Sequence, residues 1–262
     1  MSSAAEGSLP VAAAGRGGPQ LIPRPPGATA GAPPPWADLD DALRRPTVDD
    51  VRTALARLGP AEISPIERDG FSAASLPAEV REMVRDVQPR PSAVLAPLYD
   101  RDGEAWVVLT RRSMTMRAHA GEVSFPGGRA DPGDRDLEHT ALREAEEEIG
   151  LDPSAVEIVG ELDHLATVTS GAFIVPWVGI VPGGLDLRPR TREVDQVIEV
   201  PLSELMAPGV FREERWTFGP VSRPIVFFDL VGDTVWGATA AMLRQLLGFV
   251  TGTVERGGLD HD

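Results

Sequence analysis

The residues best suited to chemistry in this chain are three glutamates in the run Thr140-Ala-Leu-Arg-Glu-Ala-Glu-Glu-Glu-Ile-Gly-Leu151. Glu144, Glu147 and Glu148 are spaced i, i+3 and i+4, which places them on one face of a helix. Like charges on neighbouring turns repel, so the arrangement costs helix stability unless something positive lies between them. Arg143 is adjacent but is expected to point off the shared face, where it cannot neutralise all three. A divalent cation can. Hard, oxygen-only ligands suit Mg²⁺ or Mn²⁺, with water and a substrate phosphate completing the coordination. A solvated acidic face is the plainer alternative. Leu142, Ala145 and Ile149 recur on another face as a core-packing stripe, and Gly150 stands where a helix C-cap is expected.

The acidic helix is fed by Phe125-Pro-Gly-Gly-Arg-Ala-Asp-Pro-Gly-Asp134, whose Gly127 and Gly128 permit turn geometry beside the carboxylates. The composite resembles the Nudix box, G-x5-E-x7-R-E-U-x-E-E-x-G-U with U a bulky aliphatic. Gly128 serves as its first glycine, Arg143-Glu144 as its R-E, Glu147-Glu148 as its E-E and Gly150-Leu151 as its close. Asp134 stands where the family has its first Glu, with eight rather than seven residues before Arg143, and Ala145 is a small occupant of the U position. The resemblance implies an α+β Nudix fold, an α/β/α sandwich with a mixed β-sheet. It also implies metal held by Glu144, Glu147 and Glu148, with Glu144 or Glu147 as general base if it does not ligate directly. Arg143 would act in catalysis by positioning the loop through backbone carbonyls or a carboxylate.

A second motif narrows the substrate. Leu109-Thr-Arg-Arg-Ser113-Met-Thr-Met-Arg117-Ala-His-Ala-Gly121-Glu-Val-Ser-Phe125-Pro-Gly-Gly128 is similar to the marker of the coenzyme A pyrophosphatase branch, L-L-T-x-R-[SA]-x3-R-x3-G-x3-F-P-G-G. Val108 replaces the first leucine, and Val235-Trp-Gly-Ala-Thr-Ala240 resembles the branch's closing segment. This implies metal-dependent hydrolysis of coenzyme A or acyl-CoA to 3′,5′-ADP and (acyl-)4′-phosphopantetheine. Arg112, Ser113, Arg117, Phe125, Gly127 and Gly128 would bind substrate. Arginine suits the task because its planar fork pairs with phosphate oxygens, although a surface ion pair is the competing use. Arg111 lies outside the motif and reads as surface; His119 reads as structural or exposed. Glu193 is a candidate further carboxylate, with a solvated loop acid as its plainer reading. Other substrates such as ADP-ribose or a dinucleotide, or a non-catalytic nucleotide-binding module, are the alternatives.

Composition bounds these readings. The chain has 262 residues, 42% of them hydrophobic, enough for one substantial core and additional segments. A net charge of −15 argues against a general nucleic-acid partner. There is no cysteine, hence no disulfide framework or thiolate nucleophile. No apolar run approaches the ~18 residues of a membrane span, and no secretory signal is evident at the N-terminus. A cytoplasmic protein with a small-molecule substrate and no membrane partner is expected; exposed strand edges would permit a homodimer.

Along the chain, residues 1–35 read as a disordered Pro/Ala/Gly-rich tail and 36–92 as a helical extension. Within the extension, Thr47 caps a helix carrying Val51, Leu55 and Leu58, and a second helix is expected over Pro77 to Val87. Residues 93–250 form the catalytic domain and 251–262 a frayed tail. Ala93 to Tyr99 and Ala105 to Thr110 predict a hairpin; further strands are expected near Glu122 to Phe125, Ala155 to Leu162, Phe173 to Val181, Val197 to Val200 and Pro224 to Asp229. A helical turn follows Pro201, and a C-terminal helix covers Ala238 to Phe249. Strands and helices mix without a regular βαβ repeat, which indicates an α+β layered sandwich.

Overall fold

The structure, a computed structural model, describes residues 12–61, 90–116, 118–166, 172–218 and 221–257. Its main mixed sheet has β2 (Arg90–Arg101) at the centre, parallel to β8 (Ala172–Ile180) on one side and antiparallel to β3 (Glu104–Arg112) on the other. β4 (Val123–Ser124) and β9 (Val194–Pro201) add to β3, while β6 (Glu157–Glu161) and β7 (Leu165–Ala166) add to β8. β3 pairs with β2 only over Leu98 to Arg101. Where β3 diverges, β5 (Gly127–Arg129) takes its place and pairs with Ser92 to Val94. That substitution brings the glycine pair into the plane of the sheet.

Alternation along the central strands sorts side chains to two cores, as period-2 geometry requires. Ala93, Leu95 and Tyr99 of β2, with Val108 of β3, face one helix, α2 (Leu137–Ile149), and meet its Ala141, Ala145 and Ile149. Ala96 and Leu98, with Val107 and Leu109, face the opposite side. There they pack against α1 (Val48–Leu58), α4 (Gly237–Thr251) and a second sheet, and α3 (Leu202–Leu205) joins the same core. The second sheet is antiparallel, in the order β1 (Thr29–Ala30), β10 (Phe211–Phe218), β11 (Val221–Asp229), β12 (Thr234–Trp236). Burial on both faces thus produces the α/β/α layering. β1 and β10 were not legible as strands: β1 has two residues, and Phe211-Arg-Glu-Glu-Arg-Trp216 carries four charges among its apolar residues.

Two segments differ from expectation. Residues 12–35 are not a free tail. Thr29 and Ala30 pair with Arg215 and Glu214, Gly17 bridges to Val231, and the Arg24 guanidinium reaches the buried Glu214 carboxylate. Nor is the C-terminal stretch simply frayed, because Arg256 pairs with Asp163 at 2.8 Å and donates to the carbonyls of Gly59 and Glu161. α1 begins at Thr47, whose side chain and that of Asp50 form a reciprocal capping box. The 92/93 boundary falls inside β2, so the extension runs directly into the central strand. The second helix expected over 77–87 lies outside the described residues.

Trp36 shows how firmly the N-terminal region joins the core. It is 1% exposed and lies against Phe211 edge-on at 5.3 Å and Phe228 stacked at 6.3 Å. Trp36→Ala is expected to cost about 3–5 kcal/mol, measured by urea unfolding. A cost below about 1 kcal/mol would mean that this segment is not part of the cooperative unit.

Candidate active site

α2 is built to lie close to the sheet. Asp136 caps it by accepting the His139 N–H at 2.7 Å, and Gly150 ends it in the left-handed conformation. Ala141, Ala145 and Ile149 form the fully buried row; Leu142 is half-buried beside it. The two alanines keep the helix near β2 and β5, which is why the small residue at the expected bulky position is tolerated. Of the acidic residues, Glu148 is buried at 7% exposure, Glu144 is half-buried and the Glu147 side chain is 56% exposed.

The glycine pair fits between this helix and β2. Gly127 has a φ of +156°, and a β-carbon there would fall 2.4 Å from the Ala93 carbonyl oxygen. At Gly128 a β-carbon would fall 2.5 Å from the Glu144 carboxyl carbon. Gly127 therefore requires glycine to pass the strand backbone, while at Gly128 the missing side chain leaves room for the Glu144 carboxylate, which a β-carbon would displace. The Gly127 N–H donates to Glu148 Oε2 at 3.3 Å.

Arg143 braces the loop against the helix. Its Nε and Nη2 donate to Asp134 at 2.9 and 3.1 Å, and Nη2 also donates to the Arg129 carbonyl at 3.1 Å. Contrary to expectation it does not point away from the acidic face, for it lies 3.0 Å from Glu144 and 3.4 Å from Glu147. Asp134, 4% exposed, also accepts from Thr140, His139 and the Asp131 N–H. The Arg143 guanidinium beside it holds its carboxyl well below the usual carboxylate range. Asp134 thus serves as the anchor for Arg143. The departure from the family spacing falls in this bracing loop.

Residues of the upstream motif divide. Arg112, at the end of β3, places Nη2 3.1 Å from the Glu193 carboxylate, and both groups act electrostatically on Glu148. Its Nε is buried with no hydrogen-bond partner among the described residues. Ser113 is buried, with its hydroxyl bonded to Thr115 and its N–H to the Glu193 carbonyl, so it shapes the turn and presents no free hydroxyl. Phe125 is 1% exposed inside the core, where a ligand has no access to it. Arg117 lies outside the described residues. His119 has a φ of +57° and holds Glu122 at 2.8 Å, a turn-forming role. Arg111 is more than surface: it pairs with Asp233 at 3.1 Å and with Gln196. No sequence signal marked Asp233, more than a hundred residues away.

Electrostatically the site is under-neutralised. Burial pushes the Glu148 carboxyl up from its ordinary 4.5 to about 7, and the Gly127 N–H only partly offsets this. Burial also raises Glu144, against the pull of Arg143. The three glutamates do not form a ready-made cluster, and no group of three acidic or histidine side chains among the described residues is gathered to hold one ion. Arg143 draws Glu144 and Glu147 while Glu148 turns under Gly127. The donors nevertheless fit a hard divalent cation, since two carboxylates flanking the glycine pair carry more negative charge than their neighbours balance.

The NUDIX domain family model matches residues 89–220, and the chain belongs to that family. Two similar proteins are each named as an uncharacterized Nudix hydrolase, NudL. The one from Photorhabdus laumondii is 38% identical over 157 residues, covering 60% of this chain and 83% of that one. The one from Yersinia enterocolitica is 40% identical over 155 residues, covering 59% and 78%. This chain is accordingly an enzyme of the Nudix hydrolase type. Among solved structures, a Nudix hydrolase from M. smegmatis, RenU, matches with 21% identity and a TM-score of 0.39, over 46% of this chain and 79% of that one. Among the described residues no helix is long and apolar enough to cross a membrane.

The raised Glu148 carboxyl has a measurable consequence in the presence of chelator. Its folded value of about 7 exceeds the ordinary 4.5, so between these pH values the folded protein keeps a proton that the unfolded chain has released. Stability therefore falls as pH rises through that window. Glu148→Gln is expected to make the fall shallower, leaving the smaller part that the raised Glu144 contributes, and to be about 2 kcal/mol more stable than the wild type in chelator at about pH 8. Thermal unfolding of both proteins across this range checks it; parallel pH dependences would contradict it.

Proposed function

We propose that this protein hydrolyses the diphosphate bond of coenzyme A or acyl-CoA, yielding 3′,5′-ADP and (acyl-)4′-phosphopantetheine. The observation that carries this reading is the position of Arg112. The first arginine of the upstream motif lies within electrostatic reach of Glu148, with a buried guanidinium N–H free among the described residues. A planar fork beside an acidic helix suits a diphosphate, whose oxygens can pair with the arginine while its remaining charge is met elsewhere.

Glu144, Glu147 and Glu148 would hold Mg²⁺ or Mn²⁺. Such an ion, when bound, polarises the diphosphate and lowers the pKa of a coordinated water. Arg112 orients the phosphate group from the β3 end of the site, and Glu193 holds Arg112 in place until the anion arrives. Gly127 and Gly128 present backbone close to Glu144 and Glu148, leaving no side chain between substrate and carboxylates. Attack by water forms one P–O bond as one P–O bond of the anhydride breaks, and the released proton passes to Glu144 or Glu147 as general base, whichever does not ligate the ion. Arg143 keeps both glutamates and the loop in register without contacting the reacting phosphorus.

Incubation with coenzyme A and Mg²⁺ or Mn²⁺, beside ADP-ribose, tests the reading by product analysis. Release of 3′,5′-ADP is expected from coenzyme A, reduced about 100-fold or more in Glu148→Gln. Turnover of ADP-ribose alone would overturn the substrate assignment while retaining the hydrolase. No turnover of either would favour a nucleotide-binding role.

A further inference from the structure

The side chain of Gln20 occupies a position that neither the catalytic helix nor the upstream motif explains. Its Nε2 donates to the Gly121 carbonyl at 3.0 Å and to Asp233 Oδ1 at 2.8 Å, and its Oε1 accepts the Thr234 N–H at 2.8 Å. Two of these partners are backbone groups of fixed role, so the orientation of the carboxamide is dictated. A group giving two hydrogen bonds and taking one is required here. A glutamate could not donate, and it would set a second charge against Asp233. The contacts converge on the recognition side of the site. Gly121 belongs to the upstream motif, whose two ends are joined where the Arg112 N–H donates to the Glu122 carbonyl at 2.8 Å. Asp233 in turn holds Arg111, the residue before Arg112. The segment carrying Gln20 is itself secured on both sides, by the Gly17 N–H on the Leu230 carbonyl at 2.7 Å and by Arg24 on Glu214.

We infer that Gln20 is a positioning residue for substrate recognition: it fixes Gly121 and, through Asp233, the β3 end that presents Arg112. The inference rests on the reading of Arg112 as a phosphate-binding residue. Kinetics with coenzyme A and amide hydrogen exchange would be measured on the full chain as wild type, Gln20→Ala and Arg24→Ala. The Gln20→Ala variant is expected to raise KM about 10-fold with kcat within about twofold, and to speed exchange at Gly121 and Glu122. Arg24→Ala loosens the same segment away from the motif while leaving the Gln20 carboxamide in place, and is expected to move KM and this exchange much less than Gln20→Ala does. An unchanged KM in folded Gln20→Ala, or an equal rise in Arg24→Ala, would overturn the inference. If the wild type cleaves a different diphosphate, that compound replaces coenzyme A in the kinetics. Exchange needs no substrate, so unchanged exchange at Gly121 and Glu122 overturns the inference whatever the enzyme hydrolyses.

Discussion

The rest of the site depends on the brace formed by Arg143. One guanidinium joins the loop, through Asp134 and the Arg129 carbonyl, to the helix face that carries Glu144 and Glu147. Without it the loop between β5 and α2 would lose its link to Glu144 and Glu147, and adjacent carboxylates on the helix would repel without compensation. Asp134 makes the brace rigid by accepting from four groups, so the arginine pays little further entropy when a ligand arrives. The charges that remain unbalanced are those of Glu148 and, in part, Glu144, and both lie beside the glycine pair.

That placement follows from how the sheet is assembled. β2 has two successive partners on one edge, β3 over its later half and β5 over its earlier half. The change of partner leaves the backbone of Gly127 and Gly128 between the central strand and α2. A helix with alanines against the sheet can approach closely enough for Glu144 and Glu148 to reach this backbone. Burial of Glu148 is a cost in the absence of a cation. Such a cost is common where a site is organised for a ligand that supplies the missing charge.

The opposite face of the sheet serves a different purpose. α1, α4 and the antiparallel second sheet complete the core, and residues 12–35 lie along that sheet and end it as an added edge strand. A buried network of Arg212, Glu214 and Asp229 ties β10 to β11, and Arg24 extends it to the N-terminal segment. Gln20 then carries the connection across to Gly121. Segments outside the matched family region therefore touch the loop that presents Arg112.

By itself the sequence determined the acidic helix, its C-cap, the glycine pair and the hairpin of the central strands. Each depends on local periodicity or on a backbone requirement that one residue type meets. It also placed Arg112 with the glycine pair in one motif. Only the tertiary structure decided which of these residues face the site. Phe125 and Ser113 match the motif but are consumed by core packing and turn formation, while Glu193 is delivered beside Arg112 by pairing of distant strands. The fate of residues 12–35 was hidden for the same reason. Their composition cannot form a core alone, and their order comes from the edge of β10 and from Glu214 and Asp233, partners about two hundred residues away. Such long-range contacts leave no local pattern, since their energy resides in the pairing and not in either segment.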